Sequence, residues 1–184
     1  MPSAWQKRRF VECVHRGGVV AYPTESVFGL GCDPLNAKAV FELLTIKGRS
    51  QKKGLILIAS DFFQVSPYLK TLPKSLIAKL EDVNQEPVTY ILPAKESVPK
   101  WLTGQHKTLA IRLVQHDLAK QMCELAGIAL VSSSANESGG EALKTAHKTR
   151  LKFARRGVFV LNGNVGGAKK PSRIIDPLTN KQLR

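Results

Sequence analysis

Residues 19–31 read Val19-Val20-Ala21-Tyr22-Pro23-Thr24-Glu25-Ser26-Val27-Phe28-Gly29-Leu30-Gly31. The first four are a short apolar run bounded by a breaker, the pattern of a strand buried on both faces. Pro23 fixes φ and removes a backbone donor, so the strand ends there. Two small hydroxyls, Thr24 and Ser26, then flank a carboxylate, Glu25. Two glycines follow, which allow close backbone approach. The stretch therefore predicts a buried strand delivering a polar, glycine-rich ligand loop, with an ordinary solvated turn as its bland alternative.

The same alternation continues along the chain. Strand-like runs fall at 19–22, 55–59, 88–92, 109–113, 128–132 and 158–161, with a weaker one at 173–175. Amphipathic stretches separate them. Residues 36–47 start at Asn36, a good N-cap, with Ala39, Val40, Leu43 and Leu44 at helical spacing. Residues 73–82 place Pro73 in a first turn. Residues 117–126 run from Asp117 as N-cap to Gly127 as stop. A basic helix is expected over 145–155, and another over about 4–16, ended by Gly17-Gly18. Residues 94–108 read as a long loop that could hide a short helix or hairpin. Strands alternating with helices predict an α/β fold.

The chain has 184 residues, of which 43% are hydrophobic. That length suits a single domain, 1–184, with a sizeable core. No apolar run approaches the length of a membrane span, and the basic N-terminus lacks the apolar segment of a signal peptide. A cytoplasmic protein without membrane association is expected. Cys13, Cys32 and Cys123 are widely spaced and odd in number, and the four histidines lack ligand spacing. A disulfide framework or a protein-ligated metal is not expected.

The formal net charge is +14. Residues 141–184 carry eleven Lys/Arg against Glu141 and Asp176, and a second cluster holds Lys47, Arg49, Lys52 and Lys53. Such an excess points to polyanionic partners, either phosphate-rich small molecules or RNA.

Four further segments carry possible chemistry. Lys47-Gly48-Arg49 combines a point charge with a planar fork suited to phosphate, although basic residues also favour helix C-termini. Arg112 lies within the apolar run Ala110-Ile111-Arg112-Leu113, where a charge is costly unless paired or aimed into a site. Residues 130–140 run from a buried strand into Ser132-Ser133-Ser134-Ala135-Asn136, a natural anion nest. They match neither a P-loop nor a GxSxG elbow. Lys169-Lys170-Pro171-Ser172-Arg173 gathers a hydroxyl and cations around the last short strand. With no nucleophile pair or carboxylate dyad in view, catalysis by positioning and electrostatics is expected.

These motifs, in this order and spacing, resemble the YrdC family in its bacterial single-domain, TsaC type. The resemblance runs from Gly18 to about Arg184. It rests on Tyr22-Pro23-Thr24-Glu25 with Phe28-Gly29-Leu30-Gly31, Lys47-x-Arg49, Pro87-Val88-Thr89, Arg112, Ser132-Ser133-Ser134-Ala135-Asn136-x-Ser138-Gly139 and Pro171-Ser172-x-Ile174-x-Asp176. It implies a twisted, mostly mixed sheet flanked by helices, with a concave basic face. It also implies an L-threonylcarbamoyladenylate synthase that joins L-threonine, bicarbonate and ATP, releases pyrophosphate and feeds the t6A modification at A37 of tRNA. Magnesium would accompany ATP, and a separate t6A transferase complex would take the product.

By motif, Thr24 and Arg112 would hold threonine, with Ser172 nearby, and Lys47 and Arg49 would grip the phosphates as the catalytic cations. Thr89, Ser132, Ser134 and Asn136 would line the nucleotide and carbamate region, and Arg173 would add a cation. The chain departs from the family pattern at Asn84-Gln85-Glu86-Pro87, where Trp-Pro-Gly-Pro is common. It departs again at Lys53-Gly54-Leu55, where Asn-Pro-Leu is usual, and at Ile58, where many members carry a histidine. No second domain is expected after the motifs. The rival expectation is a double-stranded RNA or rRNA binder in ribosome maturation, resting on the charge and the basic 145–155 helix, with tRNA a possible partner under either reading. No RRM, KH or OB signature supports that rival.

Overall fold

The computed structural model describes residues 1–82, 87–168, 172–179 and 181–183. The departure at 84–86 and the cations Lys169 and Lys170 lie outside them.

The elements are α1 (Ala4–His15), β1 (Val20–Pro23), β2 (Phe28–Gly31), α2 (Ala37–Lys47), β3 (Ile56–Ala59), α3 (Lys74–Glu81), β4 (Val88–Pro93), α4 (Lys100–Thr103), β5 (Thr108–Leu113), α5 (Asp117–Ala126), β6 (Leu130–Ser134), α6 (Ala146–Phe153), β7 (Phe159–Val160), β8 (Arg173–Asp176) and β9 (Lys181–Gln182). The strands form one mixed sheet in the order β7-β1-β2-β6-β3-β5-β4-β8-β9. The pairs β1–β7, β3–β5 and β4–β8 are parallel, and the other neighbouring pairs are antiparallel. The α/β expectation holds, and every predicted strand is present.

Period-two alternation divides the apolar side chains between two cores. Val19, Ala21, Leu57, Ala59 and Val131 join Leu43, Leu44, Leu76, Leu80 and Ile111 in the larger core. Val20, Tyr22, Ile58 and Leu130 join Phe10, Val14, Met122 and Cys123, from α1 and α5, in the smaller one. Strands β1, β3 and β6 are thus covered on both faces, which is why their sequences are continuously apolar.

Several local expectations change. Residues 28–31 are a strand: β1 and β2 form an antiparallel hairpin with Tyr22 opposite Gly29. The polar loop is the hairpin's turn, and the glycines belong to the sheet. Gly31 is required there by close approach. A Cβ on it would lie 2.4 Å from the Val131 carbonyl oxygen and 2.8 Å from the Tyr22 ring. Helix α5 is capped by His116, whose ring accepts from the Ala119 amide, one residue before Asp117. Pro73 is the residue before α3, and α6 stops at Phe153 before a 3₁₀ turn. The 94–108 stretch hides the one-turn helix α4. Strand β9 was not expected: its pairing with β8 supplies partners that its two residues do not advertise.

Candidate functional site

Helices α1 and α5 cover only part of the second face of the sheet. The remainder is the floor of a cleft of about 490 Å³. Alternation puts Ile56, Ile91, Ala110, Arg112, Ser132 and Ile174, from five strands, on that floor. Their neighbours Leu57, Leu92, Leu109, Ile111 and Val131 point the other way into the larger core. Arg112 therefore sits in an apolar strand because it faces the cleft. The walls add Thr24, Ser26, Arg49, Lys53, Thr103, His106, Ser133, Ser134 and Ser172. No Asp or Glu lines the cleft among the described residues.

One end is built on the hairpin turn. Thr24 is buried, and its hydroxyl donates to the Val27 carbonyl at 2.8 Å, which tightens the turn. Glu25 reaches away from the cleft. Its Oε1 accepts from the backbone amides of Gln115, at 3.0 Å, and His116, at 3.4 Å. Its Oε2 lies 3.5 Å from Nη1 of Arg112, and both side chains are only 11% exposed. Burial alone would raise the Glu25 carboxyl, but the Arg112 guanidinium and the backbone amides outweigh it and hold the group below its ordinary range. Arg112 Nη1 also approaches the Ser172 hydroxyl at 3.4 Å, and that hydroxyl is 2.9 Å from Thr89 Oγ1. Thr89 is fully buried behind Ser172.

The other end is the serine-rich loop after β6. Lys47, at the end of α2, is 3% exposed. Its ammonium donates to the Ser134 carbonyl, to the Asn136 carbonyl at 2.8 Å and to Asn136 Oδ1 at 3.2 Å. The Ser138 amide returns a bond to the Lys47 carbonyl at 2.9 Å, and Asn136 Nδ2 donates to the Gly140 carbonyl at 2.6 Å. Lys47 and Asn136 thus lie behind the loop and shape it, while Ser132, Ser133 and Ser134 face the cleft. Burial, then the nearby Arg49 guanidinium, brings the Lys47 amine down to about 8.

Arg49 lines the cleft and donates to the Gly54 carbonyl at 3.0 Å. Burial lowers its pKa as well. The loop carrying Lys53 is pinned to the turn after α4. There Gly104 has φ of 63° and a Cβ on it would meet the Lys52 carbonyl oxygen at 2.4 Å. That contact places Thr103 and His106 beside Lys53, a convergence the sequence does not announce.

Of the residues singled out by sequence, the cleft brings together Thr24, Arg49, Arg112, Ser132, Ser134 and Ser172. Lys47, Thr89 and Asn136 support the walls from behind. Arg173 is exposed at the start of β8, paired with Val88, and is not among the lining residues. Sequence reading placed Lys53 in a basic cluster without assigning it to the site, and it missed Thr103 and His106 as lining residues. The signal for Thr103 and His106 was their place in the long 94–108 connection. Ile58 is fully buried in the smaller core. No cluster of three or more metal-ligating side chains occurs, and no helix is long and apolar enough to cross a membrane, among the described residues.

The sheet and cleft define an α/β protein with an uncovered patch of sheet, arginines and a serine-rich loop at its ends, a lining whose chemistry suits small anionic ligands. Comparison with known proteins narrows this class. The Sua5/YciO/YrdC family model, described as telomere recombination, matches residues 12–184. A protein of Coxiella burnetii named threonylcarbamoyl-AMP synthase is 45% identical over 174 residues, 95% of this chain and 94% of its own. One of Photorhabdus laumondii with the same name is 51% identical over 168 residues, 90% of this chain and 88% of its own. The crystal structure of P. abyssi Sua5 complexed with L-threonine matches at a TM-score of 0.86 and 29% identity, over 96% of this chain. This chain spans 52% of that one. E. coli YciO shares the fold at a TM-score of 0.77 and 24% identity, over 95% of this chain and 86% of its own. The chain belongs to the Sua5/YciO/YrdC family.

Proposed function

We propose that the protein is an L-threonylcarbamoyladenylate synthase, a nucleotidyltransferase making threonylcarbamoyl-AMP for t6A modification of tRNA. One observation carries this reading: an arginine–serine end and a cationic serine-nest end share one sheet floor. A carboxylate ligand at the first end and a triphosphate at the second would meet over Ala110 and Ser132. Relatives named for this activity, at up to 51% identity among those compared, support the same assignment. So does the threonine complex of P. abyssi Sua5.

In this reading Arg112 and Ser172 take the threonine carboxylate, and the Thr24 turn walls its side chain. The threonine amine adds to the carbon of bicarbonate, and water leaves to give the carbamate. A carbamate oxygen then attacks the α-phosphorus of ATP. The bond from that phosphorus to the bridging oxygen breaks, and pyrophosphate departs with the electron pair. The residues supply placement and charge, since three anions must be held together. Arg49 and Lys53 face the phosphates, and the Ser132–Ser134 hydroxyls and amides cradle them. Lys47 serves from behind by fixing that loop. Magnesium enters as part of the substrate: with no carboxylate on the lining described, phosphate oxygens and water would be its ligands.

The test is pyrophosphate release by the purified protein with ATP, magnesium, bicarbonate and L-threonine. Release that needs both threonine and bicarbonate is expected. Release indifferent to threonine would overturn the assignment.

A further inference from the structure

Among the described residues, Glu25 is the carboxylate paired with Arg112 of the cleft floor, yet it is not among the cleft-lining residues. Its two oxygens are divided between tasks. Oε1 takes two amides at the start of α5, Gln115 at 3.0 Å and His116 at 3.4 Å. Oε2 is buried, has no hydrogen-bond partner and lies 3.5 Å from Arg112 Nη1. The backbone on either side is tied as well. The Thr24 carbonyl accepts from the Gly166 amide at 3.0 Å and the Glu25 carbonyl from Ala168 at 2.8 Å. His116 closes the circuit through its ring Nε2, 2.9 Å from the Asn164 carbonyl. The hairpin turn, the start of α5 and the 164–168 strap therefore meet at one carboxylate, and among the described residues the guanidinium paired with it is that of Arg112.

An arginine on an apolar strand floor needs a counter-charge, or it swings out to water. Arg112 Nε is itself buried without a hydrogen-bond partner. Among the described residues the side chain is held at Nη1, which lies 3.5 Å from Glu25 Oε2 and 3.4 Å from the Ser172 hydroxyl. We propose that Glu25 is a positioning residue. It anchors Arg112 from behind so that the guanidinium meets the carboxylate of the amino-acid substrate, and it touches neither substrate. This inference rests on the synthase reading for the identity of that substrate.

The opposite effect is physically available. A carboxylate this close to Arg112 also repels an incoming carboxylate, and if repulsion dominated, its removal would tighten binding. Glu25→Gln separates the two, because the amide oxygen can still accept from Gln115 and His116 while the charge is lost.

The experiment is calorimetric titration of L-threonine, and separately of a non-hydrolysable ATP analogue with magnesium, into the wild type, Glu25→Gln, Arg112→Gln and the double variant. Thermal melts verify that each is folded. Should Glu25→Gln not fold, Glu25→Asp, which keeps the charge but shortens its reach, takes its place. The expected result is threonine affinity reduced at least tenfold by Glu25→Gln, with analogue affinity within twofold of wild type. The double variant should bind threonine no worse than Arg112→Gln alone within twofold, because a residue acting through Arg112 adds nothing once Arg112 is gone. Unchanged or tighter threonine binding in Glu25→Gln overturns the inference. So does equal loss of threonine and analogue, or losses that multiply in the double variant. Wild-type protein that binds the analogue but not threonine overturns the synthase reading itself, and the inference with it.

Discussion

The ammonium of Lys47 donates to the backbone carbonyl of Asn136 at 2.8 Å, across 89 positions of sequence. With the bonds to the Ser134 carbonyl and to Asn136 Oδ1, this commits the lysine's donors to one loop. Lys47→Ala should orphan those acceptors and empty the space behind the nest. Turnover is expected to fall at least tenfold, and unfolding free energy by about 2–3 kcal/mol, from unsatisfied buried polar groups. Steady-state kinetics and urea denaturation check both. Loss of turnover with unchanged stability would return Lys47 to direct phosphate contact.

The same clamp should give an alkaline limit. Burial and Arg49 lower the Lys47 pKa to about 8, below about 10.4 for an unperturbed lysine. As pH rises through about 8 the folded protein loses this proton, and with it the charge holding the loop. kcat/KM for ATP should therefore fall across that range, and Lys47→Arg should move the fall to higher pH. The stability sign is opposite. Between about 8 and 10.4 the unfolded chain keeps a proton that the folded chain has shed, so this group favours folding more as pH rises. Denaturation midpoints measured alongside activity separate the two effects.

Arg49 differs from Lys47 in facing the cleft. Arg49→Ala should lower turnover at least tenfold with ATP-dependent parameters most affected, and Arg49→Lys should recover little, because a compact ammonium cannot replace the planar fork. Substrate-saturation curves for ATP at fixed threonine are the check. Near-wild-type kinetics in Arg49→Ala would remove it from the phosphate site.

Two glycines of one strand should respond differently. Gly31→Ala forces a methyl group against the Val131 carbonyl and the Tyr22 ring, whose hydroxyl donates to that same carbonyl at 3.1 Å. A loss of about 2–3 kcal/mol is expected. A methyl at Gly29 meets its nearest neighbours, Ser132 Oγ and the Tyr22 ring, at an ordinary 3.4 Å but projects beside the cleft floor. Gly29→Ala should change stability by less than about 1 kcal/mol and weaken ligand binding instead. Chemical denaturation and ligand titration of both variants decide it.

Much of the fold was legible because apolar runs and caps are local signals. Asn36 caps α2 as its side chain predicts, and Gly48 and Gly127 end α2 and α5 with left-handed backbone. Strand β2 was not legible as such. Phe28-Gly29-Leu30-Gly31 has strand alternation, but glycine is a poor strand former, and its reason for being there lies on other strands, in Tyr22 and Val131. The site divides in the same way. Arg112 stood out because a charge in an apolar run violates the local pattern. Lys47 was legible as a site cation but not as a clamp, because its acceptors are backbone carbonyls far along the chain. Lys53 was legible as one cation of a basic cluster but not as a neighbour of Thr103 and His106, because the contact between the Lys52–Gly54 backbone and Gly104 brings the three together.

In the proposed reaction one cleft joins threonine, bicarbonate and ATP. The most direct measurement is mass spectrometry of the product formed from isotope-labelled bicarbonate, L-threonine and magnesium-ATP. A single AMP adduct carrying threonine and the bicarbonate label, appearing with equimolar pyrophosphate, is the predicted result. AMP and pyrophosphate formed without a labelled threonine adduct, or no reaction from protein that binds both threonine and ATP, would contradict it.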